Sequence, residues 1–200
     1  MPAAVLPAAG ASRRMGFPKL LLPYGEETMI GAVVAALRAG GVDEVVVVID
    51  PDDKGLGEWA AQEGIGFTLN PAPERGMLWS VLAGIEAFGG AAGLAGRGPL
   101  LVCPADLPAL RPGTVAHLLA RQVESGAGLV EPVFHGRRGH PLLIAPSLVA
   151  EVSTLDPAVG LRQLRDRHPE ALLEVEVDDP GVVDDVDTPD DYRRMTPAGS

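Results

Sequence analysis

Residues 44–49 read Glu-Val-Val-Val-Val-Ile, a β-branched run without polar alternation. Such a run suits a strand covered on both faces, and strands of that kind belong to parallel sheets flanked by helices. Just upstream, Ile30, Val33, Val34 and Leu37 recur at i, i+3, i+4 and i+7, the stripe of an amphipathic helix over 27–37, and Gly40-Gly41 stops it. The same alternation runs through the chain. A short first strand holds Val5-Leu6 and ends at Pro7. A helix near 57–63 precedes a strand over 66–69, and a helix over 77–88 precedes a buried strand over 99–103.

Pro112 opens a helix running to about Glu124. Residues 129–134 and 140–144 pattern as a hairpin around Gly136-Arg137-Arg138-Gly139. Short helices over 146–152 and 158–167, a strand over 172–177 and a helix from Pro189 complete the pattern. The glycine-rich stretch 89–98 reads as a flexible loop. The implied class is α/β: a Rossmann-like, open, mostly parallel sheet with helices on both faces and an inserted antiparallel hairpin. One domain is expected over residues 1–195, with 196–200 as a flexible tail.

Two hundred residues bury about 70% of the surface an unfolded chain exposes, so no disulfide or metal is needed for stability. Cys103 is the single cysteine, which excludes an intrachain disulfide and Cys-based zinc sites and makes a cytoplasmic location the default. With 16 basic and 27 acidic residues, the net charge of −11 repels nucleic acid and anionic lipid. No secretory signal is recognisable, and no uncharged apolar run approaches the ~20 residues of a membrane span. Neither nucleic acid nor membrane is expected as a partner.

In open α/β sheets, ligands sit beyond the carboxyl ends of the strands. The loop after the first strand carries Arg13, Arg14 and Lys19 and no acid, in an acidic chain. Small residues at 8–12 let its backbone approach phosphate oxygens. It fits neither a Walker A loop nor G-x-G-x-x-G. After the strand over 99–103, Asp106 stands between Pro104 and Pro108, a rigid carboxylate of the hard-oxygen type that suits Mg²⁺. Residues 170–191 hold ten acids and no base. Within them Asp185 and Asp187 share a face if the chain is extended. Asp187 also reads as the cap of the last helix, which favours Asp185 for a metal. There is no G-x-S-x-G elbow and no zinc-ligand spacing, so nucleophilic and zinc enzymes are set aside.

The first loop resembles the signature L-A-A-G-x-S-x-R-M-G-x-x-K of the MobA-like nucleotidyltransferases, the family of the molybdenum-cofactor enzymes. Ala8-Ala9-Gly10, Ser12, Arg14-Met15-Gly16 and Lys19 match it, and Pro7 replaces the usual Leu. The resemblance implies a nucleotide-diphospho-sugar transferase-like fold, with Pro7, Ala8, Ala9, Gly10, Ser12, Arg13, Arg14 and Lys19 around a nucleoside triphosphate. Asp106-Leu107-Pro108 resembles the family's metal motif, and Asp185-Val186-Asp187-Thr188-Pro189 its acidic closing stretch. Together they imply Mg²⁺ held by Asp106 with Asp185 or Asp187. Asn70, Gly76, Met77 and Ser80 resemble N-P-x(4)-G-M-x-x-S, placed at base and ribose; Trp79 reads better as core. Arg138-Gly139-His140-Pro141 resembles the hairpin placed against the acceptor. Arg137 beside it reads equally well as a solvated hairpin tip.

Arg14, Lys19 and Asp106 are then the expected catalytic residues. Ala9 resembles the cytidylyl branch, where the guanylyl branch carries a second Gly. The implied reaction is CMP transfer from CTP to a molybdopterin-type cofactor with release of pyrophosphate, leaving room for transient contact with a molybdoenzyme or its chaperone. Transfer from GTP, or to a sugar or polyol phosphate, is the alternative within the class. A non-catalytic nucleotide- or cofactor-binding chaperone is the alternative outside it.

Overall fold

The computed structural model describes residues 1–10 and 19–196. The first half of the chain forms β1 (Ala3–Pro7), β2 (Pro23–Tyr24), β3 (Glu27–Thr28), α1 (Met29–Ala39), β4 (Glu44–Ile49), α2 (Lys54–Gln62), β5 (Gly66–Leu69), α3 (Met77–Ala87) and α4 (Gly90–Leu94). The second half forms β6 (Leu100–Val102), α5 (Pro112–Ser125), β7 (Leu129–Phe134), β8 (Arg137–Arg138), β9 (Leu142–Ile144), α6 (Pro146–Val149), α7 (Arg162–Arg167), β10 (Leu172–Glu176) and α8 (Pro189–Met195).

The main sheet runs β10-β7-β9-β6-β1-β4-β5. Its pairings are parallel except at β9, which lies antiparallel between β6 and β7, and at β8, which folds back on β7. The valine run of β4 is explained by what covers it. Val45, Val47 and Ile49 face one apolar cluster and Val48 faces another. In β1, Ala4 and Leu6 join the first cluster while Ala3 and Val5 join the second. Helices α1, α2 and α5 cover the first face through residues such as Val33, Leu56 and Leu118. Helices α3, α4 and α7 cover the other through Val81, Leu94 and Leu164. With alternate side chains buried on both sides, neither face tolerates polar alternation.

From β1 the chain builds outward through β4 and β5, then returns to the other side of β1 as β6. The order therefore reverses between β1 and β6, and a crevice opens there.

Three expectations need correction. The stretch 89–98 contains the helix α4, because Leu94 is buried against the second cluster and Arg97 bonds both the Gly93 carbonyl (2.9 Å) and Glu44 (2.8 Å). The first helix begins only at Met29, capped by the Thr28 side chain, after a short β2–β3 ribbon. The hairpin tip is His135-Gly136, both at positive φ, which places Arg137 and Arg138 in the returning arm. Among the described residues no helix is long and apolar enough to cross a membrane.

Candidate active site

A cleft of about 590 Å³ lies at the carboxyl ends of β1 and β6. One wall is backbone: Pro7, Ala9 and Gly10 after β1, with Gly76 and Met77 at the start of α3. Gly10 and Gly76 have φ of 88° and 95°, a conformation that glycine adopts without steric cost. The returning arm of the hairpin also lines it, with Arg137, Arg138 and His140. Asp106, Asp185, Asp187 and Lys19 complete the lining on the acidic side.

Lys19 is 1% exposed, and its ammonium makes three contacts. It donates to Asp106 Oδ2 at 2.9 Å, to the Val186 carbonyl at 2.6 Å and to Asp187 Oδ1 at 3.1 Å. An ammonium has three protons, so this set satisfies a buried charge fully. Leu20 beside it is buried in the first cluster and fixes the turn. The Val186 amide donates to the Asp106 carbonyl (3.0 Å), which ties the acidic segment to the loop after β6. Val186 is fully buried while Asp185 and Asp187 line the cleft, so the two carboxylates do share a face.

The capping argument against Asp187 does not hold. Thr188 caps α8 in a capping box with Asp191, and the Asp187 carboxylate reaches Lys19 instead. Asp185 is raised from the usual aspartate range, first by burial and then by the charges of Asp187 and Asp106. Three carboxylates thus crowd one ammonium, a set of hard oxygens that a divalent cation would relieve. Among the described residues no three His, Cys, Asp or Glu side chains are placed to hold a metal by themselves. A cation bound here would share its ligands with a phosphorylated substrate, which is how Mg²⁺ is commonly held.

Several candidate residues stand behind the cleft wall. Asn70 and Ser80 are buried and bonded to each other at 3.0 Å, and Asn70 Oδ1 accepts from the Ala72 amide, so they brace the loop leading to Gly76. Ala8 is buried, its amide bonded to the Val48 carbonyl. Gly139 and Pro141 are buried in the hairpin arm. A side chain at Gly139 would meet the Val182 carbonyl at 2.4 Å, so only glycine permits this approach to the acidic segment. Met77 is 53% exposed on the cleft rather than in the core, and Trp79 lies under the Arg75 guanidinium at 3.6 Å. Ser12, Arg13 and Arg14 lie outside the described residues.

Two acids were not distinguished by their sequence context. Asp179, 1% exposed within the acidic stretch, accepts from Thr114 Oγ1 (2.6 Å) and from the Arg111 and Gly181 amides, anchoring the segment that leads to Asp185. Glu131 is fully buried in β7 and ion-paired to Arg138 and Arg165. Asp-Pro-Gly at 179–181 is a turn signature that could have marked the first; a glutamate inside an apolar strand is the signal for the second. Burial raises the Cys103 thiol well above its ordinary range, which fits an inert structural cysteine.

Burial, and next the Arg165 charge, push the His140 imidazole down to about 4. It is therefore neutral at pH 7. Between pH 6.5 and 4 the unfolded chain binds a proton at this position that the folded chain does not, so stability falls as pH falls through that window. Below pH 4 both states are protonated and the loss is complete, about 3 kcal/mol in all. Substituting His140→Gln is expected to flatten this part of the acid-stability curve, measured by urea unfolding at pH 4 to 7; an unchanged slope would refute the assignment.

The family described as the MobA-like NTP transferase domain matches residues 4–172. Nicotine blue oxidoreductase of Paenarthrobacter nicotinovorans is 30% identical over 96% of this chain and 94% of its own. Phosphoenolpyruvate guanylyltransferase of Rubrobacter xylanophilus is 30% identical over 95% and 89%. Molybdenum cofactor cytidylyltransferase of Escherichia coli is 26% identical over 94% and 92%. Among solved structures, Rv0371c of Mycobacterium tuberculosis superposes with a TM-score of 0.79 at 27% identity, covering 97% of this chain and 96% of that one. The complex of Rv0371c with manganese gives 0.73 at 24%, covering 99% of both. A CMP-2-keto-3-deoxy-manno-octonic acid synthetase complexed with CTP shares the fold, with a TM-score of 0.69 at 18% identity over 97% and 96%.

Proposed function

The chain belongs to the MobA-like NTP transferase family, and from that premise we propose that it transfers CMP from CTP to a molybdopterin-type cofactor, with release of pyrophosphate. The observation that carries this reading is the cleft itself. An acidic centre built on Asp106, Asp185, Asp187 and Lys19 shares one cleft with a small-residue backbone wall and a basic hairpin arm. That is a place for two anionic substrates to meet.

A terminal phosphate oxygen of the acceptor attacks the α-phosphorus in line, and the bond to the β-phosphate oxygen breaks. The electron pair leaves with pyrophosphate, and no covalent enzyme intermediate is needed. The chain contributes positioning and charge neutralisation. The backbone of Pro7–Gly10 and the start of α3 receive the nucleotide; Arg14 and Lys19 are the cations proposed to neutralise the charge that develops on the leaving group. Asp106 with Asp187 or Asp185 would hold Mg²⁺, which supplies Lewis-acid polarisation of the phosphates. Asn70 and Ser80 keep the α3 entrance in place from behind.

Ala9 on the nucleotide wall supports CTP over GTP through its resemblance to the cytidylyl branch. Pyrophosphate release with purified molybdopterin and Mg²⁺ tests the reading. CTP is expected to exceed GTP, ATP and UTP by at least about tenfold in kcat/KM. A GTP preference would move the chain to guanylyl transfer; nucleotide binding without pyrophosphate release would assign it to the chaperone reading.

A further inference from the structure

The hairpin presents two consecutive arginines to the cleft, and their surroundings differ. Glu131 of β7 and Glu174 of β10 are register partners on adjacent parallel strands, two like charges side by side. Arg138 spans them, with Nε 3.1 Å from Glu131 Oε1 and 2.6 Å from Glu174 Oε1. Arg165 takes the other Glu131 oxygen at 2.5 Å. Glu131 has no exposure to water, so releasing Arg138 to a ligand would leave a buried carboxylate short of a partner, a costly arrangement. Arg138 therefore serves the sheet.

Arg137 is placed differently. Its side chain is exposed on the cleft, forms no ion pair among the described residues, and makes one long hydrogen bond, 3.4 Å, to the Val183 carbonyl. Its backbone is fixed by pairing with Phe134 across the two-residue tip. The other described cations on the cleft wall have partners: Lys19 is held by Asp106 and Asp187, and Arg138 by the two glutamates.

We propose that the tandem arginines divide two tasks: Arg137 binds the phosphate of the acceptor, while Arg138, held by buried Glu131, positions the hairpin that carries it. This rests on the reading of the cleft as a nucleotidyl-transfer site, and it makes Arg137 the specificity determinant for an anionic acceptor.

The test compares Arg137→Gln with Arg138→Gln in two measurements. In steady-state transfer with CTP and Mg²⁺, R137Q is expected to raise the KM for molybdopterin at least about tenfold, leaving the KM for CTP within twofold. In calorimetric titration, inorganic phosphate added to protein saturated with a non-hydrolysable CTP analogue and Mg²⁺ is expected to bind R137Q at least about tenfold more weakly than wild type. R138Q is expected to lower the unfolding midpoint while weakening phosphate binding less than threefold. Equal phosphate affinity in R137Q and wild type, or a larger loss in R138Q, would overturn the division. If no nucleotide binds, the transfer reading fails separately, and phosphate titration of the nucleotide-free proteins still compares the two arginines.

Discussion

Lys19→Met is expected to reduce turnover at least about 100-fold and to lower stability at the same time. Methionine approximates the length of the lysine stem, so the effect isolates the ammonium. Its removal leaves Asp106, Asp187 and the Val186 carbonyl without their shared donor. Breaking a buried ion pair costs about 3–5 kcal/mol, and because Asp187 is 35% exposed the lower end of that range is expected. Mg²⁺ should then stabilise the variant more than the wild type, since the ion enters a cluster that has lost its resident charge. Pyrophosphate release and urea unfolding, each with and without Mg²⁺, check both parts. Turnover within fivefold of wild type would show that Lys19 is only a structural cation.

Asp106→Asn separates these roles from the other side. Asparagine keeps an oxygen that accepts from Lys19, Asp187 still balances the ammonium, and the Val186 amide stays bonded to the main-chain carbonyl, so the stability loss is expected to be about 1–3 kcal/mol, smaller than in Lys19→Met. The lost charge removes a hard-oxygen ligand fixed between two prolines, and turnover is expected to fall about 100- to 1000-fold. The Mg²⁺ concentration for half-maximal rate should rise in parallel. A variant with normal turnover at low Mg²⁺ would exclude Asp106 from the metal site.

Where packing follows a simple period, the amino-acid sequence was sufficient. The valine run of β4 and the i, i+3, i+4, i+7 stripe of α1 each have one cheap way to bury their apolar surface, and both are buried as expected, although α1 starts two residues later than its pattern. Helix α4 was illegible because its glycine-rich sequence has little intrinsic tendency to be helical. One buried leucine and a long-range Arg97–Glu44 contact decide its conformation. Lys19, Asp106 and Asp187 could be grouped from the sequence only through the resemblance of their motifs to those of the family. That the lysine bonds both carboxylates depends on chain crossings that local spacing does not encode. The same holds for Arg137 and Arg138, adjacent in sequence and indistinguishable by type, and separated in role by Glu131 and Glu174 on two other strands. The Asp-Thr-Pro run suggests a cap at Asp187, yet Thr188 performs it and leaves the Asp187 carboxylate to Lys19.

The bonds from Lys19 to Val186 and Asp187 span 167 and 168 residues. Synthesis runs from the amino end at roughly 5–20 residues per second, so the lysine waits on the order of ten seconds or more for its partners to be made. Until then β1, β4 and β5 can pair among themselves, but the ammonium has no acidic segment to enter. The contacts of Lys19 with Val186 and Asp187 therefore close only after every strand of the sheet has been made, and a ribosome-bound chain halted before residue 186 would carry the strands without them.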